Sequence, residues 1–222
     1  MRITELEFAS LLAYCPNGYS SNHQRSKEVM TFIKTDAYVQ NPNSPSQSIP
    51  MSDWIAQTMS DRRASLPFGN FFGTNTILVP APRSSLIKSD ALWVPQRIAR
   101  ALVKRGFGSN AVDYLLRTKA VAKSAFSAPS DRPKVTTHFE SLAVQGTMTP
   151  PDDVLLIDDI VTRGATLLGA ANRLLDAFPT ARVRAFAAMR TVSNPDEFEE
   201  MYSPCTGVIT YRSHQDDTIR RP

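Results

Sequence analysis

The sequence predicts an α/β protein built on an open, mainly parallel sheet flanked by helices. Three observations carry this. Residues 154–157, Val-Leu-Leu-Ile, and 76–79, Thr-Ile-Leu-Val, are short runs of apolar and β-branched side chains without polar alternation. Strands covered on both faces of a parallel sheet read this way. Each run leads through a polar turn into a helical period. Leu167, Leu168, Ala171, Leu174, Leu175 and Phe178 share one face before Pro179, and Ile98, Ala101 and Leu102 share a face within 93–105.

Taken in order, residues 6–14 read as a strand and Pro16-Asn17-Gly18 as a turn. Residues 24–34 read as a short helix. Residues 41–50 hold three prolines and three serines, the composition of a loop or linker. Ser52 is placed to cap a helix from 53 to about 63, with Trp54, Ile55 and Met59 inward. The strand at 76–79 runs into Pro80-Ala81-Pro82-Arg83-Ser84-Ser85. After the helix at 93–105, Gly106 or Gly108 is the stop signal, and 111–116 reads as a strand. Residues 117–140 collect Arg117, Lys119, Lys123, Arg132, Lys134 and His138 among Ser, Thr, Ala and Pro. That segment is too polar for a core and too long for an ordinary connection. Residues 182–189 give a further strand, 195–202 a short helix and 207–211 a last strand, with a frayed tail from His214.

The most informative stretch is 153–166, Asp-Val-Leu-Leu-Ile-Asp-Asp-Ile-Val-Thr-Arg-Gly-Ala-Thr. Asp158 and Asp159 fall where the apolar strand ends. Thr162 to Thr166 form a small-residue, hydroxyl-rich loop that opens a helix. Ligands of open α/β sheets bind beyond the carboxyl ends of the strands, and a helix N-terminus offers free N–H groups to an anion. An anion cradle beside two acids asks for a ligand with a phosphate at one end and a polyol or metal ion nearby. A Walker-type reading fails, since Ala170 and Ala171 follow Gly169 where Lys and Ser/Thr are required. No G-x-G-x-x-G occurs. The plain alternative is a solvated, capped turn.

The stretch resembles the phosphoribosyl-pyrophosphate (PRPP) motif of type I phosphoribosyltransferases: four apolar residues, two acids, two variable residues, a hydroxyl residue, a variable residue, then Gly-x-Thr. Asp158 and Asp159 match the acids, Thr162 the hydroxyl, and Gly164 and Thr166 the closing pair. Arg163 stands where many members carry Thr. The resemblance implies that Asp158 and Asp159 are the catalytic acids, engaging the ribose hydroxyls and Mg²⁺ directly or indirectly. It implies that Thr162, Arg163, Gly164, Ala165 and Thr166 hold the 5-phosphate. It further implies a pyrophosphate loop after the first core strand, at Arg83, Ser84 and Ser85, and a lid whose Arg117, Lys119 and Arg132 reach pyrophosphate. The Pro-x-Pro-x form of that loop is most similar to the ComF-like branch. That branch often carries an N-terminal cysteine-rich zinc element, and here Cys15 is the only cysteine of the first third.

The division that follows is an N-terminal elaboration at 1–74 containing the loop 41–50, a phosphoribosyltransferase-like core at 75–212 with a flexible lid at 117–140, and a tail at 213–222. The expected activity is PRPP-dependent transfer of ribose 5-phosphate to a small nitrogenous acceptor with release of pyrophosphate. The alternative is a PRPP-binding regulatory or interaction module without turnover, linked to nucleic-acid processing or DNA uptake. The formal charge of +4 over 222 residues and the pI of about 9.2 suit an anionic ligand. No basic block argues for a nucleic-acid arm. No apolar run reaches the ~18 residues of a membrane span, and the N-terminus lacks a signal-type core, so a cytoplasmic protein is expected. His23, His138 and His214 lack ligand spacing. The acceptor and the oligomeric state, a homodimer included, stay open.

Overall fold

The computed structural model describes residues 1–86, 91–122, 133–146 and 149–222. Along the chain these form β1 (Glu5–Tyr14), α1 (Ser21–Thr35), β2 (Tyr38–Asn41), β3 (Ser44–Pro50), α2 (Met51–Asp61), β4 (Ile77–Pro80), α3 (Val94–Lys104), β5 (Asn110–Ala111), β6 (Leu115–Arg117), α4 (Val135–Glu140), β7 (Leu142–Val144), β8 (Asp153–Val161), α5 (Ala165–Ala177), β9 (Arg182–Thr191), β10 (Tyr202–Arg212) and β11 (Asp217–Arg221). Among the described residues a seven-stranded sheet runs β11-β10-β1-β9-β8-β4-β5. The pairs β1–β9, β9–β8, β8–β4 and β4–β5 are parallel, while β1–β10 and β10–β11 are antiparallel. The predicted class, a mixed α/β fold on a mainly parallel sheet, is the observed one.

Strand β8 explains its own sequence. Leu155 and Ile157 enter a core shared with Leu11, Ile55, Ile98 and Phe186, under α1, α2 and α3. Val154 and Leu156 enter a second core with Leu167, Leu168, Ala171 and Leu174 of α5. Side chains alternate across a strand, so a strand covered on both sides must be apolar at every position.

The first third is not an appendage. Strand β1 lies inside the sheet, pairing Phe8 with Ala185 on one side and Glu5 with Thr210 on the other. The predicted linker 41–50 is a hairpin arm: Tyr38 faces Pro50 and Val39 faces Ile49. Pro42 lies in its turn, and Pro45 and Pro50 are tolerated because β3 is paired on one side only. Helix α2 starts at Met51, so Ser52 is not its cap; the Ser52 N–H donates to Asp36 Oδ1 at 2.8 Å, and Asp36 supplies the capping acceptor from outside the helix. The predicted strand 111–116 is two short strands, β5 and β6. The predicted helix 195–202 shrinks to a 3₁₀ turn at Pro195–Glu197, after which β10 begins at Tyr202. The tail is no fray, because β11 pairs with β10 along its length, Arg212 facing Asp217 and Val208 facing Arg221. Of the lid, the two ends are described, at β6 and α4; Lys123 and Arg132 lie outside the described residues.

Candidate active site

Two clefts open beyond the carboxyl ends of β4 and β8, of about 660 Å³ and about 460 Å³. The larger follows 162–166 and the smaller follows 82–85. They share Lys34, Asp158, Asp159, Ile160 and Thr166. The acid pair therefore stands where the clefts meet.

Strand β8 does not end before the acids, as the sequence predicts, but continues to Val161. Its ladder with β4 stops at Pro80 opposite Ile157, while pairing with β9 goes on through Val161 opposite Arg190. One edge of β8 is thus uncovered at Asp158. Both acids are half-buried. The Asp159 N–H donates to Asp158 Oδ1 at 2.9 Å, and the Ile160 N–H to Asp159 Oδ1 at 2.7 Å. Burial pushes the Asp158 carboxyl well above the usual carboxylate range, and the Asp159 charge adds to it; Lys34 pulls the other way. Between the ordinary pKa and the raised one the folded chain binds more protons than the unfolded chain, so this group's contribution to stability falls as pH rises. Asp158→Asn in the metal-free protein is expected to gain stability over wild type progressively from about pH 4 to pH 7. Denaturant titrations across that range check it, and an Asn variant that loses ground with rising pH contradicts it.

The loop after β8 is shaped by Gly164, at φ 92°. A Cβ there would stand 2.5 Å from Ile209 Cδ1, so both backbone and space demand glycine. The first bond inside α5 joins Leu168 N–H to Gly164 O at 2.9 Å. The N–H groups of Ala165, Thr166 and Leu167 precede it and have no intrahelical acceptor. Thr162 Oγ1 lies 3.1 Å from Thr191 Oγ1. Arg163 lines the larger cleft, but its guanidinium is paired with Asp217. That cation is engaged within the protein, which the sequence reading did not foresee.

The last strand braces this loop. Asp217, 5% exposed, also pairs with Arg212 at 3.3 Å. Thr218 Oγ1 donates to Arg163 O at 2.9 Å, and Arg220 donates from Nε to Thr162 O at 2.8 Å and from Nη2 to Thr191 O. Burial, with Arg190 nearby, lowers Arg220 to about 10, which leaves it charged at neutral pH.

Arg83, Ser84 and Ser85 line the smaller cleft together with Arg117. Arg83 Nη1 donates to Ala91 O at 3.1 Å. Arg117 is 6% exposed; its Nε donates to Arg83 O at 2.8 Å and its Nη1 to Ser141 Oγ. Its Nη2 is buried without a hydrogen-bond partner among the described residues. Burial lowers this group to about 10, so it too stays cationic. The Val121 N–H donates to Ser84 O at 2.9 Å, tying the start of the lid to this loop. Lys119 is exposed and lines neither cleft.

Lys34, near the end of α1, reaches both clefts and was not a candidate from sequence. Helical periodicity locates it on α1, but nothing local says that α1 docks beside β8. Lys34→Met is expected to weaken binding of an anionic probe such as pyrophosphate about 5-fold in low salt, the size of one exposed charge contact, and to reduce the salt dependence of that binding. Calorimetry at two ionic strengths measures both.

No protein-family model and no curated protein matches the chain. Among solved structures, it is similar to a hypoxanthine phosphoribosyltransferase from Staphylococcus aureus, at 13% identity, TM-score 0.34, and coverage of 66% of this chain and 74% of that one. It is also similar to an adenine phosphoribosyltransferase from Trypanosoma brucei in complex with AMP, pyrophosphate and ribose-5-phosphate, at 15% identity, TM-score 0.35, and coverage of 77% and 82%.

Proposed function

We propose that this chain binds PRPP across the two clefts and transfers its ribose 5-phosphate to a nitrogenous acceptor, releasing pyrophosphate. One observation carries the reading: two anion-suited clefts meet at a pair of carboxylates. PRPP has that order of groups, a phosphate at one end, a diol in the middle and a diphosphate at the other.

In this reading the α5 N-terminus, Thr162 and Thr166 hold the 5-phosphate. Asp158 and Asp159 accept hydrogen bonds from the ribose hydroxyls. Arg83, Ser84, Ser85 and Arg117 face the diphosphate, and the unpartnered Arg117 Nη2 supplies a donor already desolvated. Breaking the bond between the anomeric carbon and pyrophosphate builds positive charge on the sugar and negative charge on the leaving group. The acids oppose the first and the arginines the second, in fixed positions. The reaction needs no covalent nucleophile. The described residues hold no cluster of three or more His, Cys, Asp or Glu suited to a metal. The two acids, whose mutual repulsion helps to raise Asp158, fit Mg²⁺ as a partial site completed by ligand oxygens. When bound, Mg²⁺ would neutralise charge on the leaving diphosphate. The ComF-like affinity and a cytoplasmic location belong to the same reading.

A second reading is PRPP binding in the same clefts without turnover. Pyrophosphate release, measured with Mg²⁺, PRPP and a panel of nitrogen bases, separates the two. Saturable binding without release across the panel selects the second reading. Failure to bind PRPP at all would falsify both.

A further inference from the structure

His138 is buried beside the smaller cleft, 3% exposed, with its Nε2 3.3 Å from Thr166 Oγ1. Gly169 makes this contact achievable: a Cβ there would come within 2.8 Å of His138 Cβ and 3.0 Å of Val135 O, so only glycine lets α4 lie this close to α5. On its other side α4 is tied to Arg117 through Ser141, whose hydroxyl accepts from Arg117 Nη1 and donates to the Thr137 carbonyl at 2.6 Å, with the His138 carbonyl 3.0 Å away. His138 thus stands between the arginine of one cleft and the first turn of the helix that opens onto the other. Its Nδ1 is buried without a hydrogen-bond partner among the described residues. Burial, and secondarily Arg117, lowers the imidazole to about 4, so at neutral pH it carries one proton on one of two nitrogens.

The two tautomers have opposite consequences for Thr166. With the proton on Nδ1, Nε2 can only accept, and the Thr166 hydrogen is committed to the imidazole. The hydroxyl then presents lone pairs to its surroundings, which repel an anion. With the proton on Nε2, the imidazole donates to Thr166 Oγ1, and the threonine hydrogen is free to point at an anion at the α5 N-terminus. The buried Nδ1, which has no partner among the described residues, is then a bare lone pair and not an orphaned N–H, the costlier of the two to bury.

We propose that His138 is a positioning residue that sets the Thr166 hydroxyl as a donor toward a sugar phosphate. Its effect on binding rests on the 5-phosphate reading of the cradle, but the tautomer itself does not. The first experiment is therefore ligand-free: nitrogen NMR of the ¹⁵N-histidine-labelled full chain at pH 7, with the His138 resonance assigned by His138→Gln. The Nε2–H tautomer is expected, and the Nδ1–H tautomer overturns the proposal whatever the ligand. The second measures ribose 5-phosphate binding by calorimetry. His138→Leu is expected to weaken it about 10-fold, the scale of one hydrogen bond to a charged group. Thr166→Val is expected to match that loss, and the double variant to add little to it. His138→Gln, which retains a neutral donor, is expected to recover most of the affinity. Unchanged binding in His138→Leu, or losses that add in the double variant, overturns the role. A wild-type chain that binds no ribose 5-phosphate removes the 5-phosphate reading, and His138 is then judged by its tautomer alone.

Discussion

Replacing Asp158 and Asp159 together by Asn is expected to reduce affinity for Mg²⁺-PRPP by at least about 100-fold while raising thermal stability. Each carboxylate lost from a ligand hydroxyl removes a charge-assisted hydrogen bond worth about 1.5–3 kcal/mol. Two such losses correspond to roughly 10²–10⁴ in the dissociation constant. The opposite effect on the fold follows from the same geometry. The acids sit next to each other on a strand left uncovered on one edge, and burial and mutual repulsion already resist ionisation of Asp158. Asparagine removes that repulsion and keeps an amide oxygen for the neighbouring N–H groups. For a chain of this size each kcal/mol relieved raises the melting temperature by about 2–4 °C. Calorimetry of binding and of unfolding on one preparation reads both effects. Wild-type affinity in the double variant would remove the acids from the binding site, and a drop in melting temperature would show that they hold the fold instead.

Asp217→Ala is expected to be the most destabilising single change near the site, and it touches no ligand. Asp217 answers two arginines, Arg163 and Arg212, from a nearly buried position. Removing one partner of a buried pair costs about 3–5 kcal/mol. The lower end applies here, because both arginines keep about a third of their side-chain surface in water. That corresponds to a fall in melting temperature of roughly 6–12 °C. The released Arg163 is next to Gly164, so the loop it belongs to loses its outer anchor. Ribose 5-phosphate affinity should fall with stability, whereas pyrophosphate affinity, housed at 82–85 and Arg117, should change less. Equal losses for both ligands would mean that the strand supports the fold in general and not this loop.

What could be read from the sequence was what is written locally. Strand β8, its acids and the helix after Gly164 occupy one continuous stretch, and the apolar run announces a strand covered on both faces. The same holds for 76–85 and α3. What could not be read depends on partners far along the chain. Residues 6–14 look like a strand, but nothing in them says that the strand enters the middle of the sheet. The prolines of 41–50 are common to linkers and to strands paired on one side, and composition does not distinguish them. Arg163 looks like a phosphate ligand until Asp217, 54 residues later, is seen to hold it. Lys34 falls on a helix without a motif and His138 in the stretch that reads as a lid, and only docking against β8 and α5 gives their side chains a role.

The central position of β1 also orders the assembly of the molecule in time. Its neighbours, β9 and β10, are made long after it, and β1 holds buried side chains at Leu6, Phe8, Leu11 and Leu12. During synthesis this greasy segment leaves the ribosome with no edge to join until β9 and β10, which begin at Arg182 and Tyr202, have followed it. Closure of the sheet is then a late, long-range event of the slow kind, and the nascent chain passes through a window in which a chaperone, or a second copy of itself, competes for that segment.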